Sequence, residues 1–392
     1  MWKICFGKVR NRMKTGWKTE KKMINMKRLF LSLITLTIVE SAGRLDAQTL
    51  YTAPEAITKV KNQISVGVNP QVELISIVET ISKYPTVLGF LMAKDSSEYK
   101  LDVTEHFTPY KDHQVIHMFD RLSQQPGMLN FSAPSNIMLY TDRSLNLRED
   151  IELDDFVINR AGGKDSLHIF LELIRDFAIQ SSFNKFYHDH QDFYLMISEN
   201  TINNLGSIDY ISELENFYGK KQKSYNIVLV SLYNFHGFGN SLLCSNDQRE
   251  IYNTMGPQAV INNVQFFGDE HYMKYMIRHE FSHPFVNPLT EKYWDYIKDY
   301  TDNFDSIPDA HKKVCGEGQE CINEFTIRAI TTQIAYNESE ETGLQVYEKE
   351  KSRGVSHLDI LLEKIKYYQS SRERYPTLDS YYLNILDVFK EK

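Results

Sequence analysis

The sequence predicts a helix-dominated α+β protein. Three observations carry this: apolar residues recur at helical spacing over long stretches, short β-branched runs interrupt them, and no repeat or low-complexity linker divides Gln48 to Lys392. With 42% hydrophobic and 12% aromatic residues among 392, the chain can bury one large core or two smaller ones. The simplest organisation is one continuous unit over residues 48–392, with room for two lobes around a helix at 269–283.

The first 47 residues read differently. Met26-Lys27-Arg28 precedes the apolar run Leu29 to Val39, and Leu45-Asp46-Ala47 follows before Gln48. A basic start, a short greasy segment and a small residue at the cleavage point form a secretory signal, so residues 26–47 are expected to be removed near Ala47. The run is too short to span a bilayer comfortably, which favours removal over a retained anchor. Residues 1–25 are basic, lack that order and contain Met13 and Met23 as other starts, so they read as an upstream extension. The expected product is exported, periplasmic or extracellular, with no stable membrane insertion.

After that cut the elements follow in order. NQISVGV alternates as a strand does, and NPQVELISIVETISKYP reads as a helix with Pro70 in its first turn. Helical patterns continue through DHQVIHMFDRLS and, densely, from Ser166 to Ile202. NIMLY at 136–140 and YNIVLVSLY at 225–233 read as short strands. NFHGFGNS reads as a turn-rich segment, and REIYNTMGP as a strand closed by Gly256-Pro257. From Asp269 onward the pattern is helix after helix.

Charge and cysteine content narrow the function classes. Removing 47 residues leaves 33 basic against 49 acidic side chains, a formal charge of −16. Such a body repels phosphate backbones, so nucleic acid is not expected as a partner. Cys244, Cys315 and Cys321 remain, and in an oxidising compartment Cys315 and Cys321 could pair across a short loop, leaving Cys244 single.

The stretch MIRHEFSHPFVNP, residues 276–288, encloses a glutamate between two histidines four apart. On a helix, His279 and His283 lie about 40° apart in projection and one turn along the axis, so both imidazoles can reach one ion. Glu280, at about 100°, flanks that face and can reach a water beside the ion. Composition alone yields such a pattern in a chain this long roughly one time in forty, so context matters. Tyr272 and Met276 share the histidine face, Met273, Ile277 and Phe281 extend an apolar surface, and Lys274, Arg278 and Ser282 form a narrow polar strip. A helix this apolar runs through a core, where histidines and a glutamate require partners. Pro284 disfavours helical dihedrals at His283, so the helix is expected to end there.

A catalytic zinc site needs a third protein ligand and an open fourth position. Downstream candidates are His311, Glu317, Glu320, Glu324, Glu338 and His357, with Cys315 and Cys321 less usual. Glu324 stands out because it falls on the inward stripe of Ile327, Ile330 and Ile334. A carboxylate on such a stripe must be paired or bound to a cation, and Arg328 at i+4 offers an internal ion pair that could coexist with ligation.

HEFSH followed 41 residues later by Glu324 in NEFTIRA resembles the gluzincin branch of the zincin metallopeptidases. NPQVELISIV, HEFSHPFVNP, NEFTIRA and RERYPT together resemble a family of secreted bacterial metallopeptidase-like proteins described mainly as a domain of unknown function. The resemblance implies a zincin-like fold with a small mixed sheet, Zn2+ held by His279, His283 and Glu324, and Glu280 as general base. It also implies hydrolysis of peptide bonds in a peptide or protein substrate by a metal-activated water. An edge strand that pairs with substrate could be REIYNTMGP or the strand into NFHGFGNS. Oxyanion donors could be His236, His357, Tyr381 or Tyr382. The competing classes are a secreted peptide- or glycan-binding protein whose metal is structural or lost, and a zinc hydrolase acting on a non-peptide amide.

Overall fold

Asn62 and Gln63, both with positive φ, turn the chain between strands β1 (Ile57–Lys61) and β2 (Ile64–Val68), the two-residue geometry that matches strand twist. The computed structural model describes residues 51–94, 97–300 and 318–390, so the expected signal peptide, His311, Cys315 and Glu317 lie outside the described residues. Residues from Thr52 on form one compact unit. No helix among the described residues is long and apolar enough to cross a membrane.

Helix α1 (Pro70–Ile81) begins as its sequence dictates. Pro70 fixes the first turn, and the Asn69 side chain accepts the Val72 amide at 2.9 Å. Helices α2 (Glu98–Phe107), α3 (Gln114–Ser123) and α4 (Ala133–Leu139) follow. Here NIMLY departs from the strand expectation. Pro134 sets a helical first turn and every residue from Ala133 to Tyr140 is buried, so packing overrides the β propensity of Ile137 to Tyr140. The dense pattern from 166 to 202 becomes α5 (Lys164–Gln180), α6 (Phe183–Asp189) and α7 (Gln191–Asn203), broken at Ser182, whose φ is 55°, and at His190. Helix α8 (Tyr210–Tyr218) leads through Gly219 into the sheet.

Strand β3 (Ser224–Leu229) pairs parallel to both β2 and β5 (Arg249–Met255), and β4 (Gly237–Leu243) closes antiparallel on β5. The order β1-β2-β3-β5-β4 makes the sheet mixed and leaves β4 at an edge. Two expectations change. NFHGFGNS contains the start of a strand rather than only turns, and REIYNTM is interior, so it cannot be the free edge.

Asp269 caps helix α9 (Glu270–Glu280) by accepting the Tyr272 amide at 2.8 Å. Helix α10 (His283–Lys292) follows directly, then α11 (Gly318–Glu338), α12 (Glu340–Arg353) and α13 (Leu358–Ser370). Almost all of α11 from Cys321 to Ala335 is buried, as a helix running through a core must be. Ile327, Ile330 and Ile334 each contribute about 1.5–3 kcal/mol by leaving water. The strip of Lys274, Arg278 and Ser282 is not a solvated face. Arg278 is 4% exposed and holds Glu213 of α8 through two hydrogen bonds of 2.8 and 2.7 Å, with Glu338 at 3.0 Å. The neighbouring helices supply its counter-charges, which the helix's own sequence cannot show.

Candidate metal centre

The two histidines belong to two helices. Pro284 has no amide to give to the Glu280 carbonyl, so α9 stops at Glu280 and His283 opens α10. Phe281 and Ser282 keep right-handed dihedrals, and the Ser282 amide tightens onto the His279 carbonyl at 3.0 Å. The turn therefore carries on, and the imidazoles stay on one face with centroids 5.1 Å apart and planes at 85°.

Helix α11 brings Glu324 to meet them. Its Oε2 lies 3.5 Å from His279 Nε2 and its Oε1 3.4 Å from His283 Nε2. One ligand atom from each of the three residues falls within 4.8 Å of the others, a group that could hold a metal ion. Ligands about 2.0–2.1 Å from a tetrahedral ion stand roughly 3.3 Å apart, so two imidazoles and a carboxylate are donors of the kind zinc takes, and the two Glu324 contacts approach that spacing. Burial disfavours charge on Glu324, yet the histidines beside it hold its carboxyl well below the usual range. Burial lowers the His283 pKa, and the Glu324 hydrogen bond and charge outweigh it, raising the imidazole to about 9. A cation attracts this carboxylate, and it must displace the His283 proton to bind.

Neighbours fix the ligands. Asn287 Oδ1 stands 3.2 Å from His283 Nδ1, which leaves Nε2 with the lone pair when Nδ1 donates. The His279 ring stacks on Tyr275 at 5.8 Å and 11°, while its buried Nδ1 has no hydrogen-bond partner among the described residues. Arg328 Nη2 donates to Glu324 Oε2 at 2.9 Å, so the ion pair expected at i+4 coexists with the cluster. Arg328 Nη1 also donates to Tyr275 Oη and to Glu350, each at 3.0 Å, and Arg353 Nη1 donates to Tyr275 Oη at 2.6 Å. Tyr275 and Glu350 escaped the sequence reading. Tyr275 precedes His279 by one turn, a signal that could have found it; Glu350 sits in EKEKSR, which looks like a solvated face although Glu350 is fully buried.

Glu280 is buried beside β4. A Cβ at Gly237 would lie 3.3 Å from Glu280 Oε1, and one at Gly239 would lie 3.0 Å from Oε2, 2.6 Å from the Glu280 carbonyl and 3.2 Å from His283 Cδ2. Glycines at alternate positions let the edge strand run against the HExxH turn. That spacing, read as turn chemistry in the sequence, was the available signal of close approach.

The other candidates go elsewhere. Glu338 binds Lys274 at 2.7 Å and Arg278 at 3.0 Å. His357 packs on Phe389, Tyr382 hydrogen-bonds Thr290 at 2.6 Å, and Tyr381 lies among Tyr367, Tyr368 and Tyr375. His236 immediately precedes Gly237, its pKa lowered by burial and its Nδ1 unpartnered. Cys321 is disulfide-bonded and Cys244 is a free, buried thiol; Cys315 falls outside the described residues.

Fold and site together define a helix-dominated α+β protein with a half-buried His2Glu group that could hold a metal ion. A family model described as "Domain of unknown function (DUF4932)" matches residues 64–388, and the chain belongs to that family. No curated protein and no solved structure matched the chain.

Proposed function

We propose that the protein is a secreted zinc-dependent metallopeptidase. The observation that carries this reading is the convergence of His279, His283 and Glu324 with Glu280 beside the edge strand β4. A zinc ion held by those three ligands would supply Lewis acidity at an open fourth position. Glu280, next in sequence to one ligand, takes the proton of the attacking water on a carboxylate oxygen and returns it to the leaving amine. Strand β4 is paired on one side with β5, and on its other edge the Leu243 carbonyl already accepts the Glu152 amide at 2.9 Å, so an extended peptide would pair with the stretch nearer Gly237. Glycines 237 and 239 bring that strand against Glu280, and we assign His236, next to Gly237 in the chain, as the oxyanion donor.

The test is metal content and peptide-library cleavage for the purified Gln48–Lys392 protein and its Glu280→Gln variant. Stoichiometric zinc in both, with turnover lowered about 10²-fold or more in the variant, is expected. Undiminished cleavage in Glu280→Gln would sink the mechanism. A wild-type protein that resists zinc reconstitution would point to a binding protein.

A further inference from the structure

A cavity of about 340 Å3 lies between α9, α11 and α12, within the size range of small-molecule pockets. Its basic lining residues are His271, Lys274, Arg278 and Lys349, and among the described residues no acidic one lines it. That is a departure for a chain with 52 acidic and 44 basic residues. Lys274 and Arg278 are neutralised from outside the cavity by Glu338 and Glu213. Among the described residues Lys349 forms no ion pair; its Nζ rests 4.0 Å from the centroid of the Tyr275 ring. Burial, then the charge of Arg353, hold its ammonium below the ordinary range, which marks a half-dry site of positive potential. The rest of the lining includes Ala335, Val346 and the Tyr275 ring, so a ligand here meets apolar surface on its body and one unspent ammonium at its head.

We propose that this cavity binds a small organic carboxylate carried on an apolar stem, with Lys349 as the anchoring cation. A free short-chain acid and the C-terminal residue of a peptide share that chemistry. Lys349 reaches a carboxylate while its stem stays packed, and the charge-assisted bond it makes is of the stronger kind. The site does not depend on the peptidase reading. It would still touch the metal centre, because Tyr275 lines the cavity and stacks on His279.

The test is calorimetric titration of the metal-free Gln48–Lys392 protein, so that no carboxylate can bind through zinc. The probes are hexanoate, hexylammonium, inorganic phosphate, and a short apolar peptide with its C-terminus free or amidated. Saturable binding of hexanoate, and none of hexylammonium, is expected. Binding of the free peptide but not its amidated twin would assign the peptide terminus as a source; hexanoate alone would assign the free acid. Lys349→Met should weaken hexanoate about tenfold or more, and Lys349→Arg should retain it. Both variants are checked for an unchanged circular dichroism spectrum, and Lys349→Gln, which also removes the charge, carries the comparison if Lys349→Met does not fold. Equal hexanoate affinity in wild type and Lys349→Met, or no saturation, would overturn the proposal. Phosphate binding more tightly than hexanoate would overturn the apolar stem.

Discussion

Helices α1 and α11 each carry glutamates into the core, and they treat them in opposite ways. On α1, Glu73 accepts a hydrogen bond from Tyr99, itself bonded to Tyr194, and Glu79 accepts one from Tyr233 at 2.8 Å. Among the described residues, one oxygen of each carboxyl has no partner and neither group forms an ion pair. Burial pushes Glu73 up to about 7 and Glu79 up to about 8, against the weaker pull of their tyrosines. On α11, Glu324 meets a guanidinium and two imidazoles and stays ionised. Glu350, delivered to the same place by α12, sits between Arg328 and Arg353. A buried carboxyl thus has three outcomes, namely pairing, a bound cation or a retained proton, and its partners choose among them. The α1 carboxyls keep their protons; the α11 carboxylate keeps its charge.

The sharpest break of this comparison is ligand removal. Glu324→Ala, His279→Ala and His283→Ala should each lower zinc affinity more than about 10³-fold, since an outer partner alone is worth about 10–100-fold. Melting temperature should no longer rise with added zinc, whereas Glu73→Gln should leave zinc affinity as in wild type. Unchanged affinity in Glu324→Ala, measured by competition with a chelator, would move the third ligand to another residue.

Next in size is Arg328→Met. It strands Glu324 and Glu350 beside a lost guanidinium and should cost about 3–5 kcal/mol in denaturant unfolding of the metal-free protein. Zinc should offset part of this by supplying a cation to Glu324. An equal loss with and without zinc would show that Glu350 carries the whole effect.

The α1 carboxyls predict a pH slope of definite sign. Their folded pKa values lie above the unfolded value of about 4.5, so the native state retains protons that the unfolded chain has released. Stability from these groups is full below about pH 4.5 and is lost as pH rises through about 7 and 8, on the order of 3 kcal/mol per group. Glu79→Gln and Glu73→Gln should flatten that decline, and a slope identical to wild type would show that both carboxyls are ionised in the fold.

The smallest expected effect is that of Gly239→Ala. The methyl group meets backbone oxygen at 2.6 Å and must push β4 off the HExxH turn, costing about 1–3 kcal/mol. A wild-type melting temperature in that variant would show that the strand moves freely.

The histidine spacing and the Glu324 stripe were legible in the sequence because each is a local periodicity along one helix. Asn69-Pro70 and the strand at 64–68 were legible for the same reason. The partners that decide charge were not, since Arg278 meets Glu213 from 65 positions away and Tyr233 reaches Glu79 across 154. NIMLY and NFHGFGNS misled because local propensity was overruled in one by burial and in the other by a strand that needs glycines to pass a side chain.

The parallel pairing of β2 with β3 bears on how the molecule assembles. Ile64 registers with Tyr225, so joining these strands closes a loop of about 160 residues that contains α1 through α8. Closure entropy on that scale is spent before any ladder bond is gained, and contacts of such separation slow folding. The helical crossover is therefore expected to gather first, with the sheet zipping from β2 to β3 and on to β5. The β4–β5 hairpin, by contrast, closes across only the turn between Leu243 and Arg249, so it is expected to form early and to join the sheet as a unit, its glycines meeting Glu280 once α9 packs against it.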